Sequence, residues 1–492
     1  MNKKVLSLLM VGVLSASMLF TGCGKSGSKN LGVNVKDTGK VVILYPGEET
    51  DEMSNFIKNE LNPKLKEEIG EEVELVYKGW DQYWEQKDIM LSAGDAIDLY
   101  WDGLQDISSM VNKKQAQPLD ELIETYGQDM KKVIPDGQLS GGVVNGIQYG
   151  IPSAYAPSSG MFQLVCVRED LLEEVGMTDI STAEDLTEFA QKVADAHPEL
   201  SGPADVIFKP LTRYFQDEPL TWFSAGDAVV YGETSKKAYS YFESEAFEKV
   251  AKFNRSMYEK GLYRDELTTN YNERDSRMQQ GTYLWVEGSI GKENEIINSV
   301  RANAPDAVLK SYILAPEQDK YITACGGEVL CVPYSAQNPI GAIKFVNWLY
   351  TSQENYMFAL YGPEGENYTV ENDRIVLKDP SFGGFFYEWM FRNANYQMFT
   401  TDVTDEFIEL YSHWDENAIE SDVMAFHFDN TNVKNEATAI GELINTQLMP
   451  ILCGYVDYDE AFPAVQQQLK DAGIDRYMEE VNKQLEEYLK TK

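Results

Sequence analysis

The chain predicts an α/β protein built around a parallel sheet. Between residues 40 and 101, short apolar runs alternate with amphipathic stretches in the order strand, helix, strand, helix, strand. That alternation belongs to parallel sheets with helices on their faces. The pattern resumes after residue 162, where an apolar run leads into two helix starts. Hydrophobic residues at 43% and charged residues at 25% of 492 describe a globular chain long enough for more than one core.

Taken in order, the first expected strand covers 40–45 and stops at Pro46-Gly47. A helix opens at 48–51, with Met53, Phe56, Ile57 and Leu61 on one face. Strands over 73–77 and 97–101 follow, ending at Gly79-Trp80 and Asp102-Gly103. In parallel sheets ligands sit beyond the carboxyl ends of the strands, and Tyr45, Glu48, Trp80, Trp101 and Asp102 all fall there. Asn145-Gly146, flanked by apolar residues, announces a hairpin over 143–152. A strand over 162–167 precedes a helix from Arg168, and Ser181 to Glu184 forms a capping box for a helix reaching Ala196. Phe247, Val250, Ala251, Asn254 and Met257 keep helical spacing up to Gly261, a natural terminator. Strands return over 282–287, 308–314 and 328–332, and Asn338-Pro339 starts another helix. The tail reads as mostly helical, with stripes at Ala437, Ile440, Ile444, Leu448 and at Ile474, Tyr477, Val481, Leu485.

The N-terminus has Lys3 and Lys4, an apolar run over 5–20 and small residues before Cys23, the layout of a secretory signal too short for a comfortable membrane span. Leu19-Phe20-Thr21-Gly22-Cys23 resembles the lipobox of bacterial lipoproteins. The resemblance implies cleavage before Cys23 and a diacylglycerol thioether, with palmitate, on that residue. Gly24 to Asn30 would then be a flexible tether. Gly24-Lys25-Ser26 imitates the end of a phosphate-binding loop, but Leu19 stands where that loop needs glycine.

The formal charge is −38, and loss of Lys3 and Lys4 with residues 1–22 takes it to −40. So acidic a surface repels phosphate backbones, which excludes nucleic acid as an expected partner. Anionic lipid is repelled as well, leaving the anchor as the expected membrane attachment. Cys166, Cys325, Cys331 and Cys453 form no C-x-x-C pair and read as small buried hydrophobes. An extended strand would hold Cys325 and Cys331 about 20 Å apart, too far to bridge unless the chain turns at Gly326-Gly327. With His197, His413 and His427 scattered, no metal or cofactor is expected. Residues 429–436 have calcium-loop oxygens without the glycine such a loop needs, so Asn430 or Asn432 reads as a helix cap.

Several further pieces occur in a telling order: Gly146-x-x-Tyr149-Gly150-Ile151-Pro152, Leu164 to Arg168, Ser181 to Leu186, Gly281-Thr282-Tyr283-Leu284, and Asn338-Pro339 to Leu349. Together they resemble the extracellular solute-binding proteins of bacterial ATP-driven importers, in the oligosaccharide-binding family. Tyr361 to Tyr368, Ala425-Phe426-His427-Phe428-Asp429, Val433 to Glu436 and Leu469 to Asp475 are similar to a branch of that family carrying the C-terminal domain of unknown function 3502. The resemblance implies a periplasmic-binding-protein-like type II fold, two α/β lobes joined by a hinge near 152–155 with the ligand between them. It further implies a monomer on the extracellular face of a Gram-positive cell membrane, with an oligosaccharide ligand and no catalysis. Its implied partners are two transmembrane permease subunits with their ATPase. On this reading residues 1–22 are the signal and 23–39 the lipidated tether. Residues 40–152 with 305–352 form the N-terminal lobe. Residues 153–304 with 353–492 form the C-terminal lobe, including a mostly helical extension over about 360–492.

A sugar cleft needs aromatic faces for C–H patches and polar groups for hydroxyls. Aromatics make up 12% of the chain, with 8 Trp and 29 Tyr, although cores use the same residues. Trp348, inside an apolar run, reads as core. Trp80, Trp84, Trp101, Tyr155, Trp222, Trp285 and Trp389 are stacking candidates, with Tyr45 beside them. Glu48, Asp102, Glu287 and Glu328 are candidate hydroxyl acceptors, and Gly327 a place for close backbone approach. Glu287-Gly288-Ser289-Ile290-Gly291 misplaces its first glycine for a nucleophile elbow. A surface glycoside hydrolase, a peptide receptor and a purely structural lipoprotein stand as alternatives.

Overall fold

A computed structural model describes residues 35–80, 82–153, 163–223, 228–263, 271–322, 327–379 and 382–490. Cys23, Tyr155, Cys325 and Gly326 lie outside the described residues.

The first lobe is built on a five-stranded sheet ordered Glu72–Lys78, Lys40–Pro46, Leu99–Gly103, Glu328–Cys331, Gly150–Pro152. The first three strands run parallel and the last two antiparallel to their neighbours. The expected parallel sheet therefore holds only at one side. Val41, Ile43, Leu99, Val329 and Ile151 are buried along it. Thr50 caps the helix Asp51–Phe56, which continues through a wider turn at Ile57–Leu61 into Asn62–Glu68. The widening precedes Pro63, whose missing N–H and ring clash disfavour a regular ladder there. Asn145 and Gly146, both at positive φ, close the expected hairpin between Val143–Val144 and Ile147–Gln148.

The second lobe contains two three-stranded antiparallel sheets. One is ordered Trp285–Gly288, Leu164–Arg168, Leu309–Ile313, and the other Lys237–Ser240, Val229–Gly232, Leu220–Trp222. One apolar core joins Val165, Phe189, Phe247 and Trp285 to Phe426, Leu469 and Val481, so the C-terminal helices Tyr458–Asp471 and Ile474–Leu489 pack into this lobe. Cys166, Cys331 and Cys453 are buried.

Several expectations need correction. Leu309–Ile313, expected within 305–352 of the first lobe, pairs with Leu164–Arg168 in the second. The capping box is Thr182 with Asp185, one residue later than read; Ser181 adds its N–H and its hydroxyl to the same Asp185 carboxylate. The expected strand over 282–287 begins only at Trp285. Among the described residues of 362–403 the helical content is a single 3-10 turn, Glu388–Met390. These residues hold a hairpin, Tyr368–Glu371 with Arg374–Leu377, and an aromatic loop. The cap near residue 430 is Asp429, whose carboxylate accepts from Thr431 N–H; Asn432 instead donates to Glu480.

Candidate functional site

The carboxyl ends of two parallel strands deliver aromatic side chains to one place. Trp80 follows the strand Glu72–Lys78, Trp84 lies in the first turn of the helix Tyr83–Ala93, and Trp101 belongs to the strand Leu99–Gly103. Trp101 packs against Trp84 at 4.9 Å, Trp389 at 5.0 Å, Tyr83 at 5.4 Å and Trp80 at 6.1 Å between ring centroids. Trp389 and its stacked neighbour Tyr387 (5.3 Å) come from the aromatic loop, more than 280 residues later. Tyr387 stacks on Tyr45 at 5.1 Å, and its backbone N–H donates to the Tyr45 hydroxyl at 2.9 Å. Gly47, at φ +110°, makes this approach possible, since a Cβ there would stand 2.8 Å from the Tyr387 hydroxyl.

Trp101 is only 7% exposed, but Trp80 and Trp84 keep 43% and 46% of their surface open. The result is an aromatic wall with a buried centre and two open indoles. Its polar supports follow from strand alternation. Glu328 lies diagonally across the antiparallel pairing on the face of Trp101 and accepts the indole N–H. Asp102 points to the other face and pairs with the buried Lys87, which also sits 4.8 Å above the Trp84 ring. Burial pushes the Asp102 carboxyl above its ordinary range, while Lys87 opposes that rise. Both Asp102 oxygens are engaged, one by Lys87 and one by Gly103 N–H, so Asp102 braces the wall and does not face a ligand. Gly327 is buried and its carbonyl accepts from Leu104 N–H. Glu48 is exposed at the end of the strand Lys40–Pro46.

The remaining candidates lie in the second lobe and are enclosed. Trp285 is fully buried, 6.1 Å from Phe189 in the core, because its strand is covered on both faces. Its reading as a stacking residue is therefore corrected to core. Trp222 is buried against Tyr241 at 4.7 Å, with the Lys209 ammonium 5.9 Å from its ring. Glu287 is buried and accepts from Lys209 N–H at 3.1 Å, at the start of the helix Phe208–Phe215. Arg274 bonds Asp205 at 2.8 Å and reaches Glu287 at 3.8 Å. Burial raises both carboxyls, Asp205 to about 7, against the pull of Arg274. Glu287 is a satisfied helix brace rather than an acceptor facing a cleft. Tyr387 is the wall residue that sequence reasoning missed. Its only signal was membership in the aromatic run Phe385-Phe386-Tyr387 beside Trp389.

With the geometry in place, comparison with known proteins is decisive. A family model described as bacterial extracellular solute-binding protein matches residues 63–363, more than half of the chain. The chain belongs to that family. In this solute-binding protein a model of a domain of unknown function (DUF3502) matches residues 422–490. A carbohydrate ABC transporter substrate-binding protein of Streptococcus pneumoniae serotype 4 is 25% identical over 97% of this chain and 98% of its own. The crystal structure of N-glycan transport solute binding protein (NgtS) from Streptococcus pneumoniae aligns with a TM-score of 0.77 at 22% identity, over 92% of this chain and 99% of that one. A solute-binding protein from Bifidobacterium longum infantis described as HMO-binding aligns at 0.63 and 15% identity, over 93% and 100%. The fold is thus periplasmic-binding-protein-like type II, two α/β lobes joined by a hinge. Among the described residues no helix is long and apolar enough to cross a membrane.

Proposed function

We propose that this protein captures an oligosaccharide on the Trp80–Trp84–Trp101–Trp389 wall and delivers it to an ATP-driven importer. The open indoles of Trp80 and Trp84 carry the reading. Exposed aromatic surface beside fixed polar groups is what a sugar's C–H faces and hydroxyls require. The carbohydrate-transporter relative supports it, as does the NgtS structure in complex with Man1GlcNAc, which aligns at a TM-score of 0.73. Closure of the second lobe would complete the site and present a compact shape to two permease subunits. The protein binds and releases its ligand unchanged. Cys23 carries a lipid anchor that holds it, as a monomer, at the extracellular face. Residues 23–39 serve as tether, and one lobe boundary falls near 152; Leu309–Ile313 is assigned to the second lobe, and residues 353–391, expected there, are assigned to the first, because Phe358, Phe385 and Phe386 pack on Phe56 and Phe345.

Calorimetry against a glycan panel that includes mannose-containing N-glycan fragments tests this reading. Saturable binding without shortened products is expected. Binding of peptides but no glycan, or release of shorter sugars, would overturn it.

A further inference from the structure

The segment matched as a domain of unknown function begins at residue 422 and packs into the second lobe, yet its first ten residues also grip the first. His427 Nε2 lies 2.5 Å from the Gly141 carbonyl, which can only accept, so this ring nitrogen carries the proton. The Asn112 amide donates to Asp429 Oδ1 at 2.9 Å and approaches the Thr431 hydroxyl at 3.4 Å. A Cβ on Gly137 would stand 3.0 Å from the Met424 methyl.

Each side of this contact is anchored. In the second lobe, Gln484 of the helix Ile474–Leu489 bonds both the N–H and the carbonyl of Asp429, at 2.9 and 2.8 Å. In the first lobe, Gly142 carbonyl accepts from Tyr149 and Gly150, tying the Gly141 turn to the strand Gly150–Pro152. That strand leads directly to Ser153, where the chain leaves for the second lobe. On the return crossing, Tyr321–Ile322 pairs in parallel with Ile419–Glu420, immediately before the segment starts.

The contact therefore lies within a few hydrogen bonds of these two covalent crossings, out of three in the chain. In a rigid rotation, displacement grows with distance from the axis, so hydrogen bonds between lobes survive only close to it. The contact coexists with open indoles at Trp80 and Trp84. We propose that residues 424–431 are the non-covalent pivot of lobe closure, and that gripping the first lobe at Asn112 and Gly141 is a task of this C-terminal domain.

The test uses the full chain with spin labels at Lys58→Cys and Lys260→Cys, exposed positions on the two lobes, and pulsed electron resonance without ligand. Asn112→Asp sets a carboxylate against Asp429 and should add a second inter-lobe distance population. Asn112→Asp with Asp429→Asn restores an amide–carboxylate pair in reverse and should return the single wild-type distribution. For the glycan reading on which its functional consequence rests, Asn112→Asp should weaken affinity about fivefold, and the double variant should recover it. An unchanged distribution in Asn112→Asp, or no recovery in the double variant, overturns the pivot. Absence of any glycan binding would sink the ligand reading and leave the distance test standing.

Discussion

The two lobes each carry tryptophan and acidic side chains near strand ends, with opposite outcomes. In the first lobe Trp80 and Trp84 remain open, and Trp101 is held beneath them by Glu328 and by the Lys87–Asp102 pair. In the second, the helix Phe208–Phe215 covers Glu287 and Trp222, and the core covers Trp285. A strand end becomes a binding surface only where no other element is laid over it. What distinguishes the two regions is the covering, not the residue types.

Trp285→Ala should produce the largest effect and sharpen the contrast. Removing a fully buried indole costs about 3–5 kcal/mol of stability, read by denaturant unfolding, and leaves glycan affinity per folded molecule unchanged. Lys87→Met comes next, at roughly 3 kcal/mol near neutral pH, because it strands the Asp102 charge. In that variant the Asp102 pKa rises further in the folded state. A carboxyl raised on folding favours the protonated native form, so the deficit should shrink as pH falls from 7 toward 4. A deficit that is flat with pH would show that Lys87 matters only through packing on Trp84. Trp84→Ala should be smallest in stability, about 1–2 kcal/mol, since nearly half of its surface is already open.

Much of this was legible because local patterns are reinforced by neighbours. Trp80, Trp101 and Asp102 were placed at strand ends by apolar runs and stop signals alone. Trp285 was misread because a strand of four buried residues looks the same whether a cleft or a core lies beyond it. Tyr387 was invisible because its place depends on stacking with Tyr45, a contact 342 residues apart that no periodicity encodes. Leu309–Ile313 has an ordinary strand pattern, and only pairing with Leu164–Arg168 reveals its lobe.

The central claim is that the open indoles of the first lobe are the ligand-binding surface. Calorimetry of Trp80→Ala beside the wild type, with a glycan that the wild type binds, tests it most directly. The account predicts a melting temperature close to wild type and affinity about tenfold weaker, near 1.4 kcal/mol. Unchanged affinity in Trp80→Ala, with the protein fully folded, would contradict it.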